Sequence, residues 1–180
     1  MADRPIIFSA PMVRALLAGR KTQTRRMATS PLRRCEPGDR LYVREAHRLT
    51  DCPCTEACRL PGNVFYEAGG NDDPFRYAQN KLRPSIHMPR WASRLTLVVK
   101  AVRIEPLKSI SSADCRAEGH QPADLPVGQD VHDDAARDWY MDLWDTLHTA
   151  EGEQWRDNPP VVALTFRVER ANIDQITRVA

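Results

Sequence analysis

The chain has 180 residues, 42% hydrophobic and 28% charged, with a formal net charge of +2, which suits one domain with a real core and several long loops. No apolar run approaches the roughly 20 residues a membrane helix needs, and Met1-Ala2-Asp3-Arg4 opens no signal peptide, so a cytoplasmic protein with no membrane partner is expected, and a monomer. The small net charge hides a segregation: residues 1–100 carry 18 Lys/Arg against 9 Asp/Glu, and residues 101–180 carry 8 against 15, which favours a polyanionic partner near the N-terminal part unless folding interleaves the halves.

Pro5-Ile6-Ile7-Phe8 is a short apolar run fit for a strand or for packing the first helix. That helix is expected over 9–19. Val13, Leu16 and Leu17 have helical spacing, Ser9 can cap it, Pro11 sits in the first turn where a missing N–H costs little, and Gly19 ends it. Directly behind it, Gly19-Arg20-Lys21-Thr22-Gln23-Thr24-Arg25-Arg26 packs four cations and two hydroxyls into eight residues. In a regular strand Lys21 and Thr24 point to opposite faces, whereas in a helical turn they share one. For the two to act together the chain must turn or bulge there; otherwise the run is a solvated basic edge.

Met27 to Glu36 has no periodicity and reads as loop. Pro37-Gly38-Asp39 is a turn, and Leu41 and Val43 alternate with Arg40, Tyr42 and Arg44 as a half-buried strand, with Tyr42 or Arg44 turned toward a ligand or into surface packing. Residues His47, Cys52, Cys54 and Cys58, with Cys35 upstream, form a Cys-x-Cys-x-x-x-Cys cluster that can supply three thiolates to zinc, with Cys35 or His47 as the fourth ligand. It lacks the paired Cys-x-x-Cys hallmark, and a reducing compartment makes free thiols in a surface loop the plainer reading. No cofactor is therefore required, and zinc at Cys35, Cys52, Cys54 and Cys58 is expected to be optional or absent.

Val64-Phe65-Tyr66 fits a strand, and Gly69 to Asn80 a polar loop. The stretch from Arg83 to Arg94 interleaves Arg83, Arg90 and Arg94 with His87 and Trp91, which suits phosphate contact with base stacking, or else Trp91 anchors a loop to the core. Leu95, Leu97 and Val99 alternate with Thr96, Val98 and Lys100 in a long strand running toward Val102 and Ile104. Ser111-Ser112-Ala113-Asp114 resembles a capping box opening a short helix over 112–118 that ends at Gly119. Glu118 places a carboxylate at that helix's disfavoured end, which hints at another role. After a loop over 120–132, Ala136, Trp139, Tyr140, Leu143, Trp144 and Leu147 mark an amphipathic helix over 134–148, its aromatic stripe core rather than a cofactor box. Val162, Leu164, Phe166 and Val168 alternate with Val161, Ala163, Thr165 and Arg167 in a last strand opened by two prolines. The tail from Ala171 carries no pattern.

The Gly-x-Lys-x-x-Thr-x-Arg spacing of Gly19, Lys21, Thr24 and Arg26 behind an apolar helix resembles the signature of the ASCH family, whose members are similar to PUA domains. Pro37-Gly38-Asp39-Arg40-Leu41-Tyr42-Val43-Arg44-Glu45 resembles that family's Gly-Asp turn and second strand. The segment from Pro84 to Arg94 is similar to that of longer, phage-type members. The resemblance covers most of the chain, with 47–80 and 120–132 outside it. It implies an α+β fold: a PUA-like mixed, mostly antiparallel β-barrel with flanking helices and long inserted loops, in a single domain over 1–180.

Some short ASCH proteins are, as the resemblance implies, amidohydrolases that remove the acetyl group of N4-acetylcytidine with a lysine, a threonine and a glutamate. Residue by residue these fall on Lys21, Thr24 and Glu118. The chemistry is coherent by itself, since amide hydrolysis needs a nucleophile, a proton acceptor and a donor for the leaving amine. Thr24 is the candidate nucleophile, Lys21 its base if burial or neighbouring arginines lower its pKa, Glu118 a proton shuttle, and Arg26 an oxyanion or phosphate partner. Arg20, Arg25, Arg26, Tyr42, Arg44, Arg90 and Trp91 are the expected contacts to a nucleoside, RNA or DNA. A non-catalytic nucleic-acid-binding module and a ribonuclease remain open beside the amidohydrolase. Read as a surface pocket, the site should tolerate Lys21→Ala and Glu118→Gln with nearly unchanged melting temperature.

Overall fold

The computed structural model describes residues 2–49, 64–69, 81–120 and 133–177. The architecture is mixed α+β, with three α-helices and a mostly antiparallel sheet among these residues. The chain divides into two compact units, the first Met1–Leu17, Gly38–Val98 and Arg167–Ala180, the second Ala18–Pro37 and Val99–Phe166. Seven strands are described: β1 (Asp3–Ile7), β2 (Gln23–Met27), β3 (Arg40–Arg44), β4 (His47–Leu49), β5 (Val64–Tyr66), β6 (Thr96–Pro106) and β7 (Pro160–Glu169). Five of them form one sheet in the order β1-β3-β6-β7-β2, and β4 pairs with β5.

In the first unit, β1 runs parallel to β3 from Asp3↔Arg40 to Ile7↔Arg44, and β3 runs antiparallel to the start of β6, Arg40↔Val98 to Tyr42↔Thr96. Ile6, Leu41, Val43 and Leu97 are buried. Helix α1 (Ala10–Leu17) buries Val13, Ala15 and Leu16, the face its spacing announces. Gly19, just past its end, has φ +73°, the left-handed conformation that glycine adopts without penalty. Arg40 is buried at 6% exposure because its guanidinium is held by Asp3 at 2.8 and 2.9 Å and by the carbonyls of Ile173 and Ile176. The tail is thus part of the packing. Asn172 Nδ2 donates to the carbonyls of Arg90, Trp91 and Ser93, and Ile173 is fully buried.

In the second unit, β2 runs antiparallel to β7 from Gln23↔Thr165 to Met27↔Val161. After β2 the chain makes a short 3-10 turn at Pro31–Arg34, with Ser30 accepting from the Leu32 N–H. Helix α2 (Ser112–Ala117) opens with the expected capping box: Ser111 Oγ accepts from Asp114 N at 3.1 Å and Asp114 Oδ2 from Ser111 N at 3.4 Å. Helix α3 (Asp133–Leu147) buries Ala136, Tyr140 and Trp144 in a cluster with Leu107, Ile110, Cys115 and Val161, flanked by Trp139, Leu143 and Trp155.

Two expectations change. Leu147, read as part of the stripe, is 63% exposed at the end of α3. Strand β7 does not alternate, because Val161, Val162, Ala163 and Leu164 are all buried, so both its faces are covered there. Among the described residues no helix is long and apolar enough to cross a membrane.

Candidate active site

The basic motif lies in the second unit. After the left-handed Gly19, the chain is irregular until β2 begins at Gln23. It is pinned there from both sides, since Thr22 N donates to the Ala117 carbonyl at the end of α2 and the Thr22 carbonyl accepts from Phe166 N of β7. Arg20 donates to the Gly119 carbonyl at 3.1 Å. Lys21 therefore precedes the strand, and its amine donates to Glu118 Oε2 at 2.6 Å and to the Glu118 carbonyl at 2.8 Å, across 97 residues of sequence.

Glu118 occupies the C-cap of α2, where the unpaired carbonyls make a carboxylate unfavourable. Its two cationic neighbours account for its position: Lys21 on Oε2, and Arg25 on Oε1 at 3.3 Å. All three residues are interior, with Lys21 2%, Arg25 1% and Glu118 3% exposed. Arg25 also meets Glu105 at 2.8 Å and Asp114 at 3.0 Å. Gln23 donates to Asp114 Oδ1 at 3.0 Å and accepts from Thr165 at 3.4 Å. The capping aspartate of α2 is thus also a partner of two β2 side chains.

Alternation along β2 sends Gln23 and Arg25 to one side and Thr24 and Arg26 to the other, and the hydrogen bonds follow that division. Thr24, 1% exposed, accepts at Oγ1 from Arg26 at 3.0 Å, and the same Arg26 nitrogen donates to the Arg25 carbonyl at 2.9 Å. The two groups meet through charge: Arg26 lies in the field of Glu118 and raises the cost of a proton on Lys21. Lys21 and Glu118 are joined directly, whereas the hydrogen-bond partner of the Thr24 hydroxyl is Arg26 on the other face of β2.

The electrostatics follow from burial. Desolvation lowers the Lys21 pKa from its ordinary value; Glu118 opposes this, while Arg26 and Arg25 reinforce it. Desolvation would also lower Arg25, yet Glu118, Glu105 and Asp114 raise it, so it stays a cation. Tyr140, 3% exposed on α3, is pushed well above its usual pKa by burial and by the Glu118 charge, and remains a neutral phenol facing Glu118, Arg25 and Arg26.

The binding residues named from sequence are distributed as follows. Arg20, Arg25 and Arg26 stand in the second unit. Arg25 is not a surface contact for a ligand: its side chain is 0% exposed and is committed to three carboxylates. Tyr42, Arg44, Arg90 and Trp91 belong to the first unit. There Arg44 donates to the carbonyls of Met88 and Ile86. Arg90 lies over the Tyr42 ring at 5.6 Å and binds Asp3 at 2.7 Å and Asp174 at 2.6 Å. Trp91 packs against Val64, Met88 and Ala92, which is the anchoring role weighed for it.

Cys35 is buried in the second unit. Cys52, Cys54 and Cys58 lie outside the described residues. His47 is in the first unit, fully buried, with Nδ1 against the Glu45 carbonyl at 3.2 Å. Among the described residues no group of three or more His, Cys, Asp or Glu side chains is set to hold a metal ion.

Sequence reading missed Glu105, Asp114 and Tyr140 as neighbours of the motif. Asp114 was visible only as a cap and Tyr140 only as core. The segregation of charge is undone as well, because the second unit, residues 18–37 and 99–166, combines 12 Lys/Arg with 14 Asp/Glu.

The chain matches no protein-family profile and no curated protein. Among solved structures it is similar to the hypothetical protein PH0355, 14% identical, covering 94% of this chain and 100% of that one with a TM-score of 0.41. It is also similar to the ASCH domain from Lactobacillus crispatus JV V101, 15% identical, covering 93% of this chain and 79% of that one with a TM-score of 0.40. Likenesses this faint leave the activity to be argued from the site's own chemistry.

Proposed function

We propose that this chain is an ASCH-like amidohydrolase that hydrolyses the amide of a small acylated nucleoside such as N4-acetylcytidine. The observation that carries the reading is the buried Lys21–Glu118 pair at 2.6 Å, in which desolvation lowers the lysine pKa from its ordinary value, the direction a general base needs. The motif spacing of Gly19, Lys21, Thr24 and Arg26 supports it.

In the proposed reaction the Thr24 hydroxyl attacks the acyl carbon and gives its proton to the neutral amine of Lys21. Arg26, already donating to Thr24 Oγ1, stabilises the charge that develops on oxygen. As the tetrahedral intermediate collapses, the exocyclic C–N bond breaks and the leaving amine takes a proton relayed from Lys21 through Glu118. The acyl-threonine ester then reacts with water, releasing the carboxylic acid and restoring Thr24. These steps call on side chains alone, so no cofactor is required.

The near-complete burial of Lys21, Thr24 and Glu118 favours a small substrate over a duplex, and the carboxylates already paired with Lys21 and Arg25 favour a neutral one. The test is to incubate the protein separately with N4-acetylcytidine and with labelled RNA. Acetate and cytidine in equal amounts, lost in Thr24→Val, are expected. RNA fragments would replace this reading with a ribonuclease, and a shifted RNA complex without turnover would replace it with a binding module.

A further inference from the structure

Arg25 falls between the spaced residues of the motif, yet it pairs with three carboxylates among the described residues. Its Nη2 is held by Glu105 Oε1 at 2.8 Å and Asp114 Oδ2 at 3.0 Å, which leaves Nη1 directed at Glu118 Oε1 at 3.3 Å. Glu118 has two oxygens, and the second meets Lys21. A carboxylate shared between two cations holds each less firmly than it would hold one alone.

We propose that Arg25 is the positioning residue of this site: through Oε1 it fixes the Glu118 carboxylate with Oε2 on Lys21, and by sharing that carboxylate it keeps the lysine able to act as a proton acceptor. The proposal rests on the reading of Lys21 as a base. Among the described residues, the charged groups that act on Lys21 are Glu118 at the end of α2 and Arg25 and Arg26 of β2, with Tyr140 of α3 facing Glu118 in turn. Glu118 favours the ammonium form, and Arg25 and Arg26 oppose it. Removing Arg25 takes away a nearby positive charge and frees Glu118 Oε1 from the guanidinium, and both changes favour the ammonium form of Lys21. Glu105 and Asp114 act at one remove, since they restrain the guanidinium from closing further on Glu118.

The chain has four lysines, Lys21, Lys81, Lys100 and Lys108, so protein enriched with 13C at the lysine ε-carbon gives four signals to follow against pH, with Lys21 assigned by its loss in Lys21→Arg. In Arg25→Gln the Lys21 titration midpoint is expected to rise by about one pH unit, and Arg25→Lys should bring it back toward wild type. An unchanged or lower midpoint in folded Arg25→Gln overturns the proposal. Should that variant not fold, Glu105→Gln decides: freed on one side, Arg25 leans further onto Glu118, so the Lys21 midpoint should fall, and an unchanged or higher value overturns the proposal. These readouts do not depend on turnover, so a protein inactive on N4-acetylcytidine that still shows the shifts refutes the activity and keeps the positioning role. Where turnover is present, the rising limb of its pH profile should move upward with the NMR midpoint in Arg25→Gln, by about tenfold in rate per unit at neutral pH.

Discussion

Replacing Glu118 with Gln tests the energetics of the site most directly. The substitution keeps the side-chain shape and removes one negative charge from a place where Lys21 and Arg25 side chains are 2% and 0% exposed. The amide oxygen can accept from only one of them, and its NH₂ group presents donors to the other. Arg25 keeps Glu105 and Asp114, and Lys21 keeps the Glu118 carbonyl but loses the carboxylate charge. Breaking a buried pair at one end costs about 3–5 kcal/mol, because it takes the opposite charge away from a buried cation. Lys21 can blunt that cost by shedding its proton, since burial already lowers its pKa, so about 3 kcal/mol is expected at pH 7. This corrects the expectation of an unchanged melting temperature, which presumed a surface pocket; the pair is interior. The double variant Lys21→Met/Glu118→Gln removes both charges and should recover all but about 1 kcal/mol. Urea unfolding followed by tryptophan fluorescence reads this well, because Trp139, Trp144 and Trp155, three of the four tryptophans, belong to the unit that holds the site. A Glu118→Gln protein within about 0.5 kcal/mol of wild type, or a double variant less stable than the single, would refute the reasoning.

Two further outcomes are expected. Burial alone would raise the Asp3 carboxyl, but hydrogen bonds and charge from Arg40 and Arg90 hold it down at about 2 against an ordinary 3.8. A depressed carboxylate stabilises the fold above its unfolded pKa and loses that contribution as pH falls through the folded one, so roughly 2 kcal/mol should vanish between about pH 4 and pH 2. Asp3→Asn should be less stable at neutral pH and lose about 2 kcal/mol less than wild type across that window; equal losses in the two proteins would count against the network. Elemental analysis of protein purified without added metal is expected to find well below one zinc per chain, and about one per chain, lost when Cys52 and Cys54 become serine, would show that the thiols bind metal.

Local patterns determined a good deal of this protein without any knowledge of its partners in space. The apolar spacing of Val13 and Leu16, the capping box of Ser111 and Asp114, and the aromatic stripe of Tyr140 and Trp144 each depend on neighbours within about one turn of helix, and each forms as its sequence requires. The motif residues could be named for the same reason. What no local pattern carries is the partner of a charge. Arg25 reads as a surface cation until β6 and α2 bring Glu105, Asp114 and Glu118 around it, and Leu147 reads as core until α3 ends with nothing to cover it. Strand β7 reads as two-faced until both faces are buried. The +9 and −7 halves of the chain likewise lose their opposition once residues 18–37 pack with 99–166. Coulomb energy depends on distance through space and on the water excluded along it, and only the tertiary structure decides either, which is why Lys21 is legible as a lysine in sequence and as a candidate base only in the fold.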